Sequence, residues 1–157
     1  MKRLPLSAVA VPLLTCLVTL NALALWTVTG NAGTPAKLSV PEGRVLIAGG
    51  SEATAAFFTI RNTGGADDVL TGVTGPAGHR TMLSRNVDIG NNARSMAMVR
   101  TVTVPAGAAL TMMPDTLDVM VSPPPRLAPG DRLTFTLHFR HSPPQTVRAR
   151  AVRPGDE

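Results

Sequence analysis

The sequence is poor in the residues that support disulfide, thiol and base-stacking chemistry. Of its 157 residues only Cys16 is a cysteine, and it lies within an apolar N-terminal run. No disulfide can therefore form within the chain, and the residues after this run offer no thiol as a nucleophile or redox group. Aromatic residues amount to 3%, with no tyrosine, which argues against a nucleic-acid module that stacks bases on aromatic rings.

Dense clusters of charge are also missing. The formal net charge is +5, but the arginines are spread singly from Arg44 to Arg153. This spread predicts a solvated surface of mixed charge rather than a phosphate-tracking stripe, and we expect no nucleic-acid partner. The sequence also lacks a Gly-x-Ser-x-Gly elbow, paired carboxylates and a histidine-rich zinc motif, so we do not expect an enzyme.

The sequence does contain a long apolar segment at its N-terminus. Two basic residues precede an uncharged run over residues 4–30, and about 25 helical residues reach about 37 Å, enough to cross a hydrocarbon core of about 30 Å. Residues 1–29 are expected to be either a membrane anchor, through residues 4–29, or a signal peptide cleaved near Ala22-Leu23-Ala24. A lipidated Cys16 is a third alternative. All three predict an extracytoplasmic protein, in the periplasm or at the cell surface.

The rest of the sequence is typical of an all-β protein. Residues 30–37 are interpreted as a linker and residues 38–153 as one β-sandwich domain. Short β-branched segments alternate with glycine and proline clusters, and the prolines fall between the segments, as a sheet requires. About eight short strands are predicted, over residues 53–61, 67–74, 79–86, 96–104, 109–112, 117–121, 132–139 and 146–152.

Three sequence blocks in this domain occur in a recognisable order. They are Ala53–Gly64 followed by Asp68–Val73, then Val102–Gly107, and finally Met113-Pro114, Leu117–Met120 and Leu127–Asp131. In order and spacing the set resembles the PCuAC family of periplasmic copper chaperones over residues 45–152.

The resemblance implies a fold, a cargo and a partner. The fold is a cupredoxin-like β-sandwich, and the cargo is copper, held as Cu(I) outside the cytoplasm. The partner is a copper-accepting protein such as the binuclear copper site of cytochrome c oxidase. The family signature is His-x10-Met-x21-His-x-Met, in which soft thioether and imidazole ligands favour Cu(I).

The sequence departs from this signature at two positions. Alignment on Pro105-Ala106-Gly107 places the first family methionine at Met96 and the second at Met120. The same alignment places Asp118 and Ser84 where the family has its histidines, with the loop between Ser84 and Met96 one residue longer than in the signature. The resemblance therefore implies a site with both methionines and neither histidine. Asp118 is a hard oxygen ligand that suits Cu(I) poorly, and Ser84 is not a soft-metal ligand.

Two more methionines are candidates for the missing ligands. Met98 shares a strand face with Met96, and Met82 shares one with Ser84, because side chains alternate along a strand. The methionines can also be core fillers, since methionine packs irregular gaps well, and the alternative for Asp118 and Ser84 is that of polar residues at strand ends. Two functions follow: a copper chaperone that holds Cu(I) through methionines, or an exported scaffold domain that has lost its metal.

Overall fold

The computed structural model describes residues 6–28, 33–88 and 94–155. The start of the predicted linker, residues 30–32, lies outside the described residues. The chain divides into two compact units, Met1–Thr34 and Pro35–Glu157.

The first unit contains helix α1, Leu6–Val28. Its residues Ala10–Val28 form a stretch with a mean hydropathy of 1.9, long and apolar enough to cross a membrane, although a signal sequence has the same properties. The polar side chains in this stretch bond back to the helix: the Thr15 hydroxyl donates to the carbonyl of Val11 at 2.8 Å, and the Asn21 amide to that of Leu17 at 2.7 Å. These bonds satisfy the polar groups without help from solvent.

The second unit is built from strands, twelve of them in the described residues. They are β1 Leu38–Ser39, β2 Gly43–Leu46, β3 Thr54–Phe57, β4 Thr59–Asn62, β5 Asp68–Thr74, β6 Arg80–Asp88, β7 Arg94–Val99, β8 Val102–Val104, β9 Ala109–Thr111, β10 Leu117–Ser122, β11 Arg132–Phe139 and β12 Gln145–Val152.

The strands form one large sheet and one small sheet. The nine-stranded sheet has the order β7-β6-β10-β3-β2-β12-β11-β5-β8, and the three-stranded sheet has the order β1-β4-β9. All pairs are antiparallel except β2 with β12, which run parallel. The large sheet curves until it is nearly closed, with the core inside. The predicted all-β class behind one N-terminal helix is confirmed.

The strand predicted over residues 53–61 is two strands. Phe57 and Phe58 are both buried, at 3% and 2% exposure, which the simple alternation of a half-exposed strand does not allow. The chain passes from the large sheet to the small sheet between them, and the ring of Phe58 packs edge-on against Phe135 with centroids 5.4 Å apart.

The strand predicted over residues 96–104 is also divided. The alternation continues through Arg100 and Thr101, but the chain leaves β7 at one edge of the large sheet and enters β8 at the other edge. Strand β2 is absent from the sequence prediction, because four residues carry too short a pattern to identify.

Two buried polar side chains hold loops to the core. The Asn62 amide oxygen accepts the backbone N–H groups of Lys37 and Gly64 at 3.1 and 3.0 Å, which fastens the residues before β1. The Asp68 carboxylate accepts the N–H groups of His141 and Ser142 at 3.0 and 2.9 Å, which fixes the turn between β11 and β12. Although burial opposes ionisation, these hydrogen bonds lower the pKa of Asp68 to about 2.

Candidate metal site

Four methionines lie on the outer side of three neighbouring strands. Strand β6 lies between β7 and β10, and its residue Met82 pairs directly with Met120 of β10. Met98 of β7 pairs with Ser84 of β6, and Met96 occupies the next outward position of β7. Directly paired residues point to the same side of a sheet. We call the set Met82, Met96, Met98 and Met120 the methionine face.

Ser84 lies at the centre of this face. It pairs with Met98 on one side and with Asp118 on the other. Directly paired Cβ atoms lie about 5 Å apart and diagonal ones about 7–8 Å apart. All four methionines are therefore one or two positions from Ser84, although they are up to 38 residues apart in the chain.

The exposure of the methionines separates them from core residues. Met98 is 74% exposed, Met96 55% and Met82 39%, whereas Met112, on the inner side of the fold, is 1% exposed. The core under the face is formed instead by residues of the opposite parity, such as Val119 and Leu83. Packing therefore accounts for Met112 but not for the three exposed methionines.

The methionines line two cavities. Met96 and Met120 line a cavity of about 340 Å³ together with Asp118, and residues 46–55 form its opposite wall. Strand β6 separates the strands of these two methionines in the sheet. Met82 and Met98 line a second, wider groove of about 610 Å³ with Arg100 at its edge. The face thus holds one pair of thioethers beside a carboxylate and a second pair more open to solvent.

Asp118 and Ser84 are buried, not solvated residues at strand ends. Their exposures are 8% and 2%, and β6 continues past Ser84 to Asp88. The interpretation of Asp118 as a solvated carboxylate is therefore wrong, and so is that of Ser84 as a residue at a strand end. Burial raises the pKa of Asp118, and a hydrogen bond from the Ser84 hydroxyl partly opposes this shift.

The donors of this face fit a soft monovalent ion better than a hard one. Thioethers are neutral and polarisable and suit Cu(I), whereas the single carboxylate, that of Asp118, is a hard ligand that suits it poorly. The described histidines bond elsewhere: His79 Nδ1 to the carbonyl of Pro123 at 2.6 Å, His138 Nε2 to Thr74 Oγ1 at 2.8 Å, and His141 Nδ1 to Asp68 at 3.3 Å. Within residues 6–28, 33–88 and 94–155, no three His, Cys, Asp or Glu side chains cluster as a metal site.

Two parts of the site are absent from the prediction made from the sequence. Asn86, paired with Met96, lies at one end of the face and donates through its amide to the carbonyl of Pro114 at 2.7 Å. The wall formed by residues 46–55 follows β2, which was not predicted. Asn86 could have been found from its period-two spacing to Ser84, whereas the wall has no comparable signal.

Comparison with known proteins identifies a family whose model matches most of this sequence. The model of a family described as "Putative lipoprotein LpqE-like" matches residues 28–151. No curated protein matches the chain. Solved structures with a similar fold include the apo PCuAC domain from PmoF1, at 20% identity and a TM-score of 0.61, covering 75% of this chain and 95% of that chain.

Two copper-bound structures are among the similar folds. The copper-bound PCuAC domain from PmoF2 has 19% identity and a TM-score of 0.58, covering 75% of this chain and 94% of that chain. The solution structure of Cu(I)-bound DR1885 from Deinococcus radiodurans has 24% identity and a TM-score of 0.59, covering 78% and 81%. At this level of identity they show the fold, and the predicted cupredoxin-like β-sandwich is confirmed.

Proposed function

Because the chain belongs to the LpqE-like family, whose fold is that of the PCuAC domains, we propose that it is an extracytoplasmic copper-binding accessory protein. Its cargo is Cu(I), held by methionine thioethers. Its N-terminal segment, residues 1–29, exports the β-domain of residues 38–153 as a signal peptide or retains it as an anchor. The acceptor is a copper protein, and the resemblance to PCuAC chaperones points to the copper site of cytochrome c oxidase.

The observation that carries this proposal is the shared cavity of Met96 and Met120. These two residues occupy the methionine positions of the PCuAC signature, and they line one cavity from two different strands. Met82 and Met98 adjoin them on the same face and provide further sulfur donors. Thioethers alone bind Cu(I) without charge neutralisation, which suits a protein that must release its cargo.

Asp118 and Ser84 have supporting roles in this proposal. The Asp118 carboxylate lies in the same cavity and supplies negative charge close to a monovalent cation. The Ser84 hydroxyl holds that carboxylate by a hydrogen bond and is not itself a ligand. The proposed site is thus sulfur-rich, with one anionic oxygen and without histidine.

An anaerobic Cu(I) titration against a chromophoric chelator tests the proposal. Residues 35–157 are suitable for it, because they contain all the described strands and buried hydrophobic side chains. We expect one Cu(I) per chain, and loss of competition in the Met96→Leu, Met120→Leu double variant, in which leucine preserves volume.

The matched control is Met113→Leu, which removes a 46% exposed methionine outside the face. It is expected to bind like the parent. If the parent does not compete with the chelator, copper binding is wrong and the alternative of an exported scaffold domain stands. If the control loses binding equally, the site lies elsewhere.

A further inference from the structure

Four arginines on three neighbouring strands form a row across the large sheet. Arg44 of β2 pairs with Arg150 of β12, and Arg150 pairs with Arg132 of β11. Arg148 is two residues from Arg150 and so points to the same side. All four are exposed on the outer side of the sheet. We call Arg44, Arg132, Arg148 and Arg150 the arginine row.

This arrangement is unfavourable for the fold itself. Like charges on directly opposite residues of neighbouring strands, about 4.8 Å apart, destabilise a sheet. One carboxylate partly compensates: Glu42 Oε1 lies 3.3 Å from Arg132 Nε. Among the described side chains, no carboxylate lies within 4.0 Å of the other three guanidinium groups. The surface therefore keeps an excess of positive charge that packing does not require.

The chemistry of the row indicates that its binding partner is a surface that carries anionic oxygens. Guanidinium groups bind phosphate and carboxylate oxygens in a bidentate manner. The exposed neighbours of the row are Thr134 and Thr146, with Leu46 and Val152 partly exposed beside Arg44 and Arg150. Every described aromatic side chain of residues 35–157 is buried, so the row has no aromatic anchor of the kind common at the centre of a protein–protein interface. A charged row without an aromatic centre is better suited to a lipid surface than to a folded partner.

A second observation, the position of helix α1 in the chain, indicates where the β-domain would meet a surface of anionic oxygens. Helix α1 is apolar enough to cross a bilayer, and only residues 29–37 separate it from β1. A connection of nine residues spans at most about 30 Å. While the helix remains attached and lies in a bilayer, a connection of this length keeps the β-domain within reach of headgroup phosphates. We propose that the arginine row binds the phosphate headgroups of an anionic lipid surface.

Vesicle flotation of residues 35–157 tests this binding without the apolar helix. The probes are vesicles of phosphatidylcholine with about one third phosphatidylglycerol, and vesicles of phosphatidylcholine alone. The test variant is Arg44→Gln, Arg148→Gln, Arg150→Gln, which leaves Arg132 with its partner Glu42. The control is Arg61→Gln, Arg126→Gln, Arg140→Gln, which removes three exposed arginines elsewhere and so has the same net charge.

We expect the parent to bind only the anionic vesicles, with a strength that falls as salt is added. Since one basic residue near such a surface contributes about fivefold in affinity, the test variant should bind about 100-fold more weakly, and the control less than tenfold. Equal losses in the two variants overturn the row as the binding surface. A parent that ignores anionic vesicles but binds polyglutamate through the same arginines makes the partner an acidic protein and the lipid proposal wrong.

Discussion

The methionine face and the arginine row lie on the outer side of one nine-stranded sheet. In the strand order, β3 alone separates the strands of the face from those of the row. The face is rich in thioethers, and its polar centre, Ser84 and Asp118, is buried. The row is charged and fully solvated. The same scaffold thus presents two surfaces whose chemistry differs because its outward positions are free of core packing.

The largest effect is expected from a substitution of Asp68, a buried residue that supports strands of the arginine row but not the methionine face. Asp68 holds the turn that joins β11 to β12, two of the strands of the row, and has no contact with the methionine face. Asp68→Asn replaces an acceptor oxygen by an N–H donor and leaves a part-buried backbone N–H without its partner. We expect a loss of about 2 kcal/mol in the free energy of unfolding, measured by urea denaturation at pH 7.

The role of Asp68 also predicts how the free energy of unfolding changes with pH. The pKa of Asp68 is lowered from 3.8 to about 2, so its stabilisation is complete above the unfolded value and lost as the pH falls towards 2. The parent should lose stability over this interval, and Asp68→Asn should lose about 2 kcal/mol less. Identical acid profiles for the two proteins would contradict the role given to Asp68.

A smaller effect is expected when an arginine replaces one of the methionines of the methionine face. Met98→Arg places a guanidinium at a position that is 74% exposed, so the fold should tolerate it. We expect Cu(I) affinity to fall about fivefold relative to Met98→Leu, because a cation near the site repels Cu(I) by about 1 kcal/mol even in water. Chelator competition at two salt concentrations checks this. An equal affinity in the two variants would mean that Met98 lies outside the range of the bound ion.

The smallest effect concerns the repulsion within the row. Arg150 has an arginine directly opposite on each side. Arg150→Thr is expected to raise the free energy of unfolding by about 0.5 kcal/mol, since it removes both like-charge pairs and adds a good strand former. Exposed Arg126→Thr is the comparison, with no expected gain. Urea midpoints at low and high salt give the measurement, and a gain that persists unchanged in high salt would argue against repulsion as its cause.

The sequence analysis succeeded where a feature depends on local pattern. The helix and the all-β class follow from hydropathy and alternation, whereas Met96 and Met120 are candidates only through the resemblance to the PCuAC signature and stay a prediction. The buried pair of Ser84 and Asp118 does not follow from local pattern, because its burial depends on the register of β6 with β10. The arginine row was missed for the same reason. Its residues look evenly spread along the chain, and only the parallel pairing of β2 with β12 brings Arg44 beside Arg150.

The attachment at Asn62 has a mechanical consequence for a chain that is held at its N-terminus. Tension arriving through the residues before Lys37 enters the fold at β1, where the Asn62 amide and the pairing of β1 with β4 resist it. The residues before β1 pass close to Gly64, where a side chain would collide with the carbonyl of Pro35, so only glycine permits this contact. Strands β1 and β4 belong to the small sheet, so a pull on the tether loads that sheet first. The small sheet passes this load on to the large sheet, because the Asn62 amide also donates to the carbonyl of Val104 and the Gln145 amide donates to that of Leu38.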